Sequence, residues 1–409
     1  MKVAIIGNGI AGVNVASGLR ADSSVEVTVY AAEAHPFYSR VRLPEVISGA
    51  SAPETIRFYP PDWYAKKGIV VREGAFVASI DRDAKTLTLS TGETCPWDYL
   101  VLATGASSNR PTTPGADGAG VFTLRTMEDA LAIRASALAD PSSASVIGGG
   151  LLGLEAARAM RDAGAKTVRV FEIAPRLLPR QLDDTGAALL SARFAAMGIE
   201  VVCGAEVAEF RPGSITLKDG RSFASATTLL SMGVHSNVDL ARAAGLTVNR
   251  GIVVDSRMQT SSPSIYAVGD CAEFGGIVWG IIPAALEQAP VAAKSILSVA
   301  GLIPAAAAPE YAQTVPKTAL KVGDIELMSL GKAVPSPEEI ASGKVIEVSR
   351  VMNGAAERGV ELASQRYEKY VLEPRDGATI LVGAILYGAK DRQQATQKMM
   401  GQAVKPEEL

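Results

Sequence analysis

One glycine pattern, Gly-x-Gly-x-x-Gly, occurs twice in this chain, each time between a short apolar run and a helix-like stretch. The glycines are Gly7, Gly9 and Gly12 in the first copy and Gly148, Gly150 and Gly153 in the second. The first glycine allows a tight turn from strand to helix, the second lets the backbone approach phosphates, and the third lets the helix pack on the strand. A pyrophosphate then lies at the helix N-terminus, where free N–H groups favour negative charge. The chain is therefore predicted to bind two dinucleotides and to pass electrons from one to the other.

An acidic residue follows the second apolar run of each unit, where it could hold a ribose hydroxyl. Residues 27–30 lead to Glu33, and residues 168–171 are followed by Glu172. A carboxylate at Glu172 suits the free 2′-hydroxyl of NADH and repels the 2′-phosphate of NADPH. Although Arg176 nearby weakens this preference slightly, we expect NADH.

The composition is that of an ordinary α/β protein and excludes several functions. The 409 residues suffice for two or three domains, and the formal net charge of −3 gives no sign of nucleic-acid binding. No apolar run reaches the roughly 18 residues that a membrane span needs. Because the first apolar run leads straight into the first glycine copy, we expect no targeting segment, no membrane partner and a cytoplasmic protein.

The three cysteines, Cys95, Cys203 and Cys271, are far apart in the sequence and form no CxxC motif. This spacing predicts neither a redox dithiol nor a zinc or iron–sulfur ligand set, so no metal is expected. Reduced, buried cysteines are the simplest expectation.

The N-terminal part of the chain alternates apolar runs with turn residues. Residues 77–81 and 86–89 have strand character, and a buried strand from Tyr99 ends in Ala103-Thr104-Gly105. A linker-like stretch begins near residue 109, and the second glycine unit continues to about residue 249. Residues 264–270 are predicted to form another buried strand, which ends in the turn Gly269-Asp270.

The C-terminal part has a different texture. Residues 284–299 have helical character, and the Ala- and Pro-rich run 304–309 is the clearest linker. Beyond it, residues 325–327 and 346–349 alternate apolar and polar, as a half-buried strand does. Residues 380–386 are apolar throughout and predict a strand buried on both faces.

Five blocks between Gly7 and Asp270 together resemble the FAD-dependent pyridine nucleotide oxidoreductases, which share a glutathione-reductase-like fold. The blocks are residues 7–12 with Glu33, Ala103-Thr104-Gly105, residues 148–153 with Glu172, Met232-Gly233-Val234, and Tyr266-Ala267-Val268-Gly269-Asp270. The resemblance implies an α/β fold with two Rossmann-like dinucleotide-binding domains plus a small α+β C-terminal domain. We expect the FAD-binding domain at residues 1–108 and 250–303, the NAD-binding domain at residues 109–249, and the C-terminal domain at residues 310–409.

The same resemblance assigns FAD to the first glycine copy and NADH to the second, and it places Asp270 at the ribityl chain of the flavin. The residues expected to bind one of the two cofactors are Gly7, Gly9, Gly12, Glu33, Arg40, Val77, Ala103, Thr104, Gly105, Gly148, Gly150, Gly153, Glu172, Gly233, Gly269, Asp270 and Lys317.

Within this superfamily the chain is most similar to the NADH:rubredoxin reductases and to the flavin modules of assimilatory nitrite reductases. The similar segments are residues 36–45, residues 179–183, and Trp279-Gly280 with Pro283 and Gln288. Ferredoxin-reductase relatives carry a Lys where this chain has Glu45, which weakens a ferredoxin-reductase interpretation.

No cysteine occurs between residues 36 and 49, although disulfide reductases and peroxide- or oxygen-reducing relatives use thiols beside the flavin. Cys271, directly after Asp270, is expected to be a small apolar residue rather than a redox group. The flavin should then pass electrons straight to an acceptor. Because flavins accept a hydride and can release single electrons, a small iron protein such as rubredoxin is a natural partner.

Few catalytic side chains are expected, because hydride transfer depends mainly on positioning the nicotinamide against the flavin. Glu155 either lies near that contact, as the resemblance implies, or is an ordinary acid in the first turns of a helix. Arg40 and Arg42 either balance negative charge on the reduced flavin or the pyrophosphate, or are solvated loop residues. Lys317 and Thr318 are expected to approach the flavin from the C-terminal domain.

Three functions remain open at this point. The chain is an NADH-dependent flavoprotein that reduces rubredoxin or a similar small iron protein, an NADH-oxidising flavin module of a nitrite reductase system, or an NADH-binding redox sensor. A nitrite reductase would need another subunit to supply haem and iron–sulfur ligands. His35 and His235 lie in predicted loops without an evident acid–base partner, so no catalytic role is expected for them.

Overall fold

A computed structural model describes residues 1–322, 325–352 and 365–409 of the chain. The strands up to residue 123 are β1 (Lys2–Ile6), β2 (Glu26–Tyr30), β3 (Ile69–Arg72), β4 (Val77–Asp81), β5 (Thr86–Leu89), β6 (Thr94–Pro96), β7 (Tyr99–Leu102), β8 (Ala106–Ser108) and β9 (Val121–Thr123). The next are β10 (Ser143–Ile147), β11 (Thr167–Glu172), β12 (Ile199–Cys203), β13 (Val207–Arg211), β14 (Ser214–Leu217), β15 (Ser222–Ala224), β16 (Thr227–Leu230), β17 (Val234–Ser236), β18 (Ile252–Val254), β19 (Ile265–Ala267) and β20 (Ala272–Phe274). The last are β21 (Lys317–Val322), β22 (Ile325–Gly331), β23 (Ile346–Met352), β24 (Arg366–Arg375) and β25 (Ala378–Tyr387).

The helices fall between these strands. They are α1 (Ile10–Leu19), α2 (Leu43–Ser48), α3 (Trp63–Lys67), α4 (Met127–Ala139), α5 (Leu151–Asp162), α6 (Asp184–Ala196), α7 (Asp239–Ala243), α8 (Ile282–Val299), α9 (Pro337–Ala341) and α10 (Lys390–Met399). No helix within the described ranges combines the length and the hydrophobicity that crossing a membrane requires.

Two parallel five-stranded sheets form the framework of the fold. Their strand orders are β19-β7-β1-β2-β3 and β12-β11-β10-β16-β9. In each sheet the strand that leads into a glycine copy, β1 or β10, occupies the central position. Both central strands are almost wholly buried, as expected where helices cover both faces of a parallel sheet. The predicted pair of Rossmann-like units is confirmed.

The C-terminal part forms an antiparallel sheet of order β21-β22-β25-β24-β23, accompanied by α9 and α10. The predicted α+β character of this region is therefore confirmed. Strand β25 lies at the centre of the sheet and is largely buried, in agreement with its apolar sequence. The alternation expected at residues 325–327 is present, since Ile325 and Leu327 are buried and Glu326 between them is partly exposed, although the rest of β22 is mostly buried. The alternation expected at residues 346–349 is wrong, because β23 is an edge strand and is mostly exposed.

Contacts divide the chain into two compact units. The first comprises Met1–Arg40, Pro53–Ser107 and Val234–Thr314, and the second comprises Val41–Ala52, Ser108–Gly233 and Val315–Leu409. The second unit thus contains both the β10 sheet and the C-terminal sheet. The three domain ranges expected from the sequence stay a prediction.

A charged network ties the C-terminal sheet to α6 inside the second unit. The Asp183 carboxylate caps α6 by accepting a hydrogen bond from Gly186 N, and it also accepts from the Tyr367 hydroxyl at 2.6 Å. The buried Lys369 ammonium lies 3.1 Å from Asp183 and 2.6 Å from Glu347. The buried charge of Lys369 therefore has two partners of opposite sign, as burial requires.

Candidate functional site

The first glycine copy joins β1 to α1, and its three glycines have different surroundings. Gly7 has a φ of +113°, and a Cβ there would lie 2.1 Å from the Ala103 carbonyl oxygen. A Cβ on Gly12 would lie 2.0 Å from the Gly7 carbonyl oxygen. Around Gly9, by contrast, no heavy atom in the described part of the chain would come within 4 Å of a Cβ. The outer two positions therefore require glycine for the fold, whereas the middle one leaves space for a ligand.

The second copy, between β10 and α5, repeats this geometry. Gly148 has a φ of +115°, and its Cβ would lie 2.1 Å from the Ser231 carbonyl oxygen. A Cβ on Gly153 would meet the Gly148 carbonyl oxygen at 2.1 Å, and one on Gly150 would meet only open space in the described chain. Each unit thus contains the same turn, built on different neighbours.

The helices that follow these turns begin without protein caps. Neither α1 nor α5 has a capping side chain or an acidic residue in its first turn. Helices α3 and α8 share this feature, whereas α4, α6 and α9 each begin with a side-chain cap. The first N–H groups of α1 and α5 are therefore left for another acceptor, and a pyrophosphate is the anion that such a glycine turn accommodates.

The Ala103-Thr104-Gly105 segment follows β7, the neighbour of β1, and lies against the Gly7 turn. Asn237 holds it in place: its Nδ2 donates to the Thr104 carbonyl at 2.9 Å, and the Thr104 hydroxyl donates to the Asn237 carbonyl at 2.7 Å. The role of Asn237 was not expected from the sequence. The one sequence signal that could have indicated this role is the position of a polar side chain three residues after the Met232-Gly233-Val234 block.

The Gly269-Asp270 turn lies beside the first glycine copy in space, within the same unit. Gly269 has a φ of +76°, and a Cβ there would lie 2.9 Å from Cβ of Ala11 on α1. Its N–H donates to Oε1 of the buried Gln288 at 2.7 Å, and the Ser236 hydroxyl donates to the Asp270 carbonyl at 2.7 Å. The structure therefore places Asp270 in a hydrogen-bonded turn beside the start of α1.

The two predicted ribose acids have different partners. Glu33 accepts hydrogen bonds from side chains, from the Tyr38 hydroxyl at 2.5 Å and from the Arg40 guanidinium. Glu172 is buried at the end of β11 and accepts from backbone N–H groups, from Gly149 at 2.6 Å and from Ala174 at 2.8 Å. The Glu172 carboxylate is thus hydrogen-bonded directly to the backbone of the second glycine turn. Arg40 forms an ion pair with Glu33.

A cavity of about 310 Å³ lies beside the end of β3 in the first unit. Its lining residues are Arg72, Glu73, Gly74, Ala75, Phe76, Leu89, Ser90, Thr91 and Glu93. Gly74 N donates to the Glu33 carbonyl at 3.1 Å, so one wall of this cavity is hydrogen-bonded to the loop that carries the first predicted ribose acid. Val77, predicted to bind a cofactor, follows as the buried first residue of β4.

The remaining predicted residues belong to the second unit. Gly233 has a φ of +80°, and its carbonyl accepts from Asn109 N at 3.0 Å in the loop that follows β16. Lys317 is the first residue of β21, but its side chain and that of Thr318 lie outside the described residues.

Glu155 lies in the second turn of α5, half-buried, where α5 packs against α2 and β21. Burial raises the pKa of its carboxyl to about 7. A carboxyl with this pKa can hold or release a proton at neutral pH, which an ordinary solvated Glu does not do.

Glu45, at the position where ferredoxin-reductase relatives carry a Lys, lies on α2 and binds its own neighbours. Its carboxylate accepts from Arg42 at 2.7 Å and from the Ser51 hydroxyl at 2.7 Å, and the Arg42 hydrogen bond holds the pKa of the carboxyl below its usual value. Arg42 is therefore paired with Glu45. Cys271 is fully buried, and burial raises the pKa of its thiol, as expected for an unreactive cysteine.

Several buried side-chain polar atoms have no hydrogen-bond partner within the described chain, among them Asn8 Nδ2, Trp97 Nε1 and Trp279 Nε1. No group of His, Cys, Asp and Glu within the described ranges could hold a metal ion.

Comparison with known proteins agrees with this geometry. The family model described as pyridine nucleotide-disulphide oxidoreductase matches residues 1–295. The assimilatory nitrate reductase electron transfer subunit of Bacillus subtilis is 34% identical over 352 residues, which cover 85% of this chain and 44% of that protein. The NAD(P)H nitrite reductase of the same organism is 33% identical over 393 residues, 95% of this chain and 45% of that protein. The chain thus spans less than half the length of these two relatives.

A relative of similar length is the NADH-rubredoxin oxidoreductase of Clostridium acetobutylicum, 30% identical over 95% of this chain and 93% of that protein. Among solved structures, an NAD-dependent persulfide reductase from A. fulgidus superposes with a TM-score of 0.85 at 26% identity, covering 98% of this chain and 77% of that one. Putidaredoxin reductase, in a covalent complex with putidaredoxin, gives 0.82 at 27% identity, covering 99% and 94%. The cofactors of the matched family are FAD and NAD(H).

The raised pKa of Glu155 predicts a pH-dependent stability. Because the folded-state pKa of about 7 exceeds the ordinary value of 4.5, the folded protein binds this proton more tightly than the unfolded chain, and stability falls as pH rises from 4.5 towards 7. Glu155→Gln, which imitates the protonated group, should raise the free energy of unfolding by about 2 kcal/mol at pH 8 and by less than half of that at pH 5. Urea unfolding of flavin-free protein measures both values. Glu338→Gln, at an exposed site on α9, is the control, and an equal effect of Glu155→Gln at both pH values would contradict the prediction.

Proposed function

The chain belongs to the pyridine nucleotide-disulphide oxidoreductase family, and we propose that it passes electrons from NADH through bound FAD to a small iron protein such as rubredoxin. It is an oxidoreductase that uses FAD and NAD(H). The observation that carries the choice of acceptor is the absence of a thiol relay. Residues 36–49 contain no cysteine, and Cys271 is fully buried with a raised pKa. Electrons then have no disulfide route out of the protein.

Bound FAD supplies the redox chemistry, since it can take a hydride from NADH and give electrons to an acceptor. The residues proposed to hold it surround the first glycine turn, with Glu33 and Arg40 on one side and the Thr104 and Asp270 turns on the other. The residues proposed to hold NADH surround the second glycine turn. There the Glu172 carboxylate accepts a hydrogen bond from a ribose hydroxyl, and Gly233 lies in the loop that follows β16. We assign Glu155 the role of a proton-holding group near the reacting rings.

The rubredoxin-type acceptor is also supported by the extent of the similarity. The NADH-rubredoxin oxidoreductase relative matches this chain over nearly the whole length of both proteins. A second candidate is an electron-transfer module for nitrate or nitrite reduction. It is favoured by the sequence identity of 34% and 33% to the two Bacillus subtilis relatives. In that case a further subunit or domain would supply the metal centres, since none of the described residues forms a metal-binding group.

An acceptor panel tests the proposal. NADH oxidation by the flavin-loaded protein is followed in parallel with rubredoxin, a ferredoxin, oxygen and a small disulfide. We expect kcat/KM with an iron protein to exceed that with oxygen or the disulfide by at least about tenfold, because no thiol can relay electrons. Preferential turnover of the disulfide would refute direct electron exit. Flavin bleaching that no acceptor reverses would instead favour the redox sensor.

Charge at Glu172 should set the preference for NADH over NADPH. Glu172→Gln keeps an acceptor for Gly149 N but removes the charge, so the NADH-to-NADPH ratio of kcat/KM should fall at least about tenfold. Arg176 offers little compensation in the native protein, because it donates to the Leu182 carbonyl and pairs with Asp184. Glu206→Gln, an exposed acid paired with Lys218, serves as the control. Equal kcat/KM values of the native protein with NADH and NADPH would contradict the prediction.

A further inference from the structure

The loop of residues 173–182, between β11 and α6, packs against the second glycine turn. Leu178 N donates to the Gly149 carbonyl at 3.3 Å. Leu177 is so close that its Cδ2 would lie 2.5 Å from a Cβ at position 149, and both leucines are buried. Because Gly149 lies between the first two glycines of the turn proposed to bind NADH, the position of this loop bears on the shape of that turn.

The loop contains a strained residue. Leu178 has a φ of +48°, in the left-handed region that residues with a Cβ avoid. Its carbonyl accepts from Gln181 N and Leu182 N, both at 2.9 Å, and Arg176 Nε donates to the Leu182 carbonyl at 3.0 Å. A strained backbone persists only where its surroundings hold it. The contacts at the end of the loop are therefore needed to keep Leu178 in this conformation.

Asp183, directly after the loop, uses its two carboxylate oxygens for different partners. Its Oδ1 accepts from Gly186 N at 3.0 Å and caps α6. Its Oδ2 accepts from the Tyr367 hydroxyl at 2.6 Å and lies 3.1 Å from the buried Lys369 ammonium. Burial raises the pKa of the Tyr367 hydroxyl, so it remains a donor at neutral pH. One oxygen thus serves the helix, and the other ties the end of the loop to the C-terminal sheet.

The contacts of Oδ2 exceed what a helix cap needs. A cap needs one acceptor atom, which a Ser or Asn supplies as well as an Asp. Tyr367 and Lys369 lie two residues apart on β24 and so share a face of the sheet, and both meet the same charged oxygen. Hydrogen bonds to an ionised group are shorter and stronger than neutral ones, so this pair fixes the position of Asp183 firmly.

We propose that Tyr367 and Lys369 are positioning residues for the NADH site. By holding Asp183 Oδ2, they keep the strained loop against Gly149 and the second glycine turn in its binding shape. This inference rests on the proposed binding of NADH at residues 148–153. It gives the C-terminal sheet a part in nucleotide affinity, which its residues exert only through Asp183.

Calorimetric titration of the flavin-loaded full-length protein with NAD⁺ tests the proposal. Tyr367→Phe, which removes only the hydroxyl, should raise the Kd about fivefold. Asp183→Ser keeps a cap for α6 but carries no carboxylate for Tyr367 and Lys369, and it should raise the Kd about tenfold. Adding Tyr367→Phe to Asp183→Ser should have no further effect, because Tyr367 acts through Asp183. The Kd for FAD should stay unchanged in every variant.

Tyr370→Phe is the matched control. Tyr370 lies on the same strand, and its buried hydroxyl donates to Glu368 at 2.9 Å, so the variant loses a comparable hydrogen bond without touching Asp183. It should leave the Kd for NAD⁺ unchanged. An equal rise in both tyrosine variants, or a lower melting temperature with an unchanged Kd, would show that Tyr367 is merely structural and would overturn the proposal. If Asp183→Ser does not fold, the comparison of the two tyrosine variants still decides it.

Gly149→Ala separates this proposal from the assignment of NADH to the second turn, because its methyl group would push directly on Leu177. If Gly149→Ala weakens NAD⁺ binding and Tyr367→Phe does not, the nucleotide site stands and the proposal fails. If neither variant alters NAD⁺ binding, the assignment of NADH to residues 148–153 is refuted and the proposal with it. No electron acceptor takes part in the titration, so its outcome is independent of the choice of iron protein.

Discussion

In each half of the molecule, a glycine at the end of the central strand comes so close to a carbonyl oxygen that no other residue fits. Gly7 approaches the carbonyl oxygen of Ala103, and Gly148 approaches that of Ser231. In both cases a Cβ on the glycine would lie 2.1 Å from the oxygen. This contact sets where the chain leaves the sheet, and hence where the following helix begins with its N–H groups uncapped. The predicted ribose acids, the neighbouring loops and the open middle glycines are all placed relative to it.

The two halves then differ in the groups around a shared turn. In the first unit, Glu33 is surrounded by side-chain donors, the Asp270 turn packs against α1, and the Tyr64 hydroxyl donates a hydrogen bond to Asn8. In the second, Glu172 is bonded to the backbone of the turn itself, which fixes the position of its negative charge. These differences support different cofactors on similar frameworks, and they arise from residues far outside the glycine pattern.

Much of this framework could be predicted from the sequence because its signals are local. The glycine spacing, the apolar runs before it and the acids after it all lie within short stretches, and the strands β1, β10 and β11 occur where expected. The partners of these groups could not be predicted, because they are distant in the chain. Thr104 and Asn237 are 133 residues apart, and Asp183 and Tyr367 are 184 apart. Such pairs meet only in the folded protein, and the hydrophobic periodicity of the sequence contains no signal that predicts them.

The central claim is that the two turns hold different dinucleotides, and the open middle glycines allow it to be tested directly. A methyl group at Gly9 or Gly150 meets no protein atom in the described chain, so Gly9→Ala and Gly150→Ala should fold normally and obstruct only a ligand. Calorimetric titration of flavin-free protein with FAD, and of flavin-loaded protein with NAD⁺, measures both affinities. We predict that Gly9→Ala weakens FAD binding about tenfold and spares NAD⁺, and that Gly150→Ala does the reverse. If each variant weakened both ligands equally, or the two defects were exchanged, the account would be contradicted.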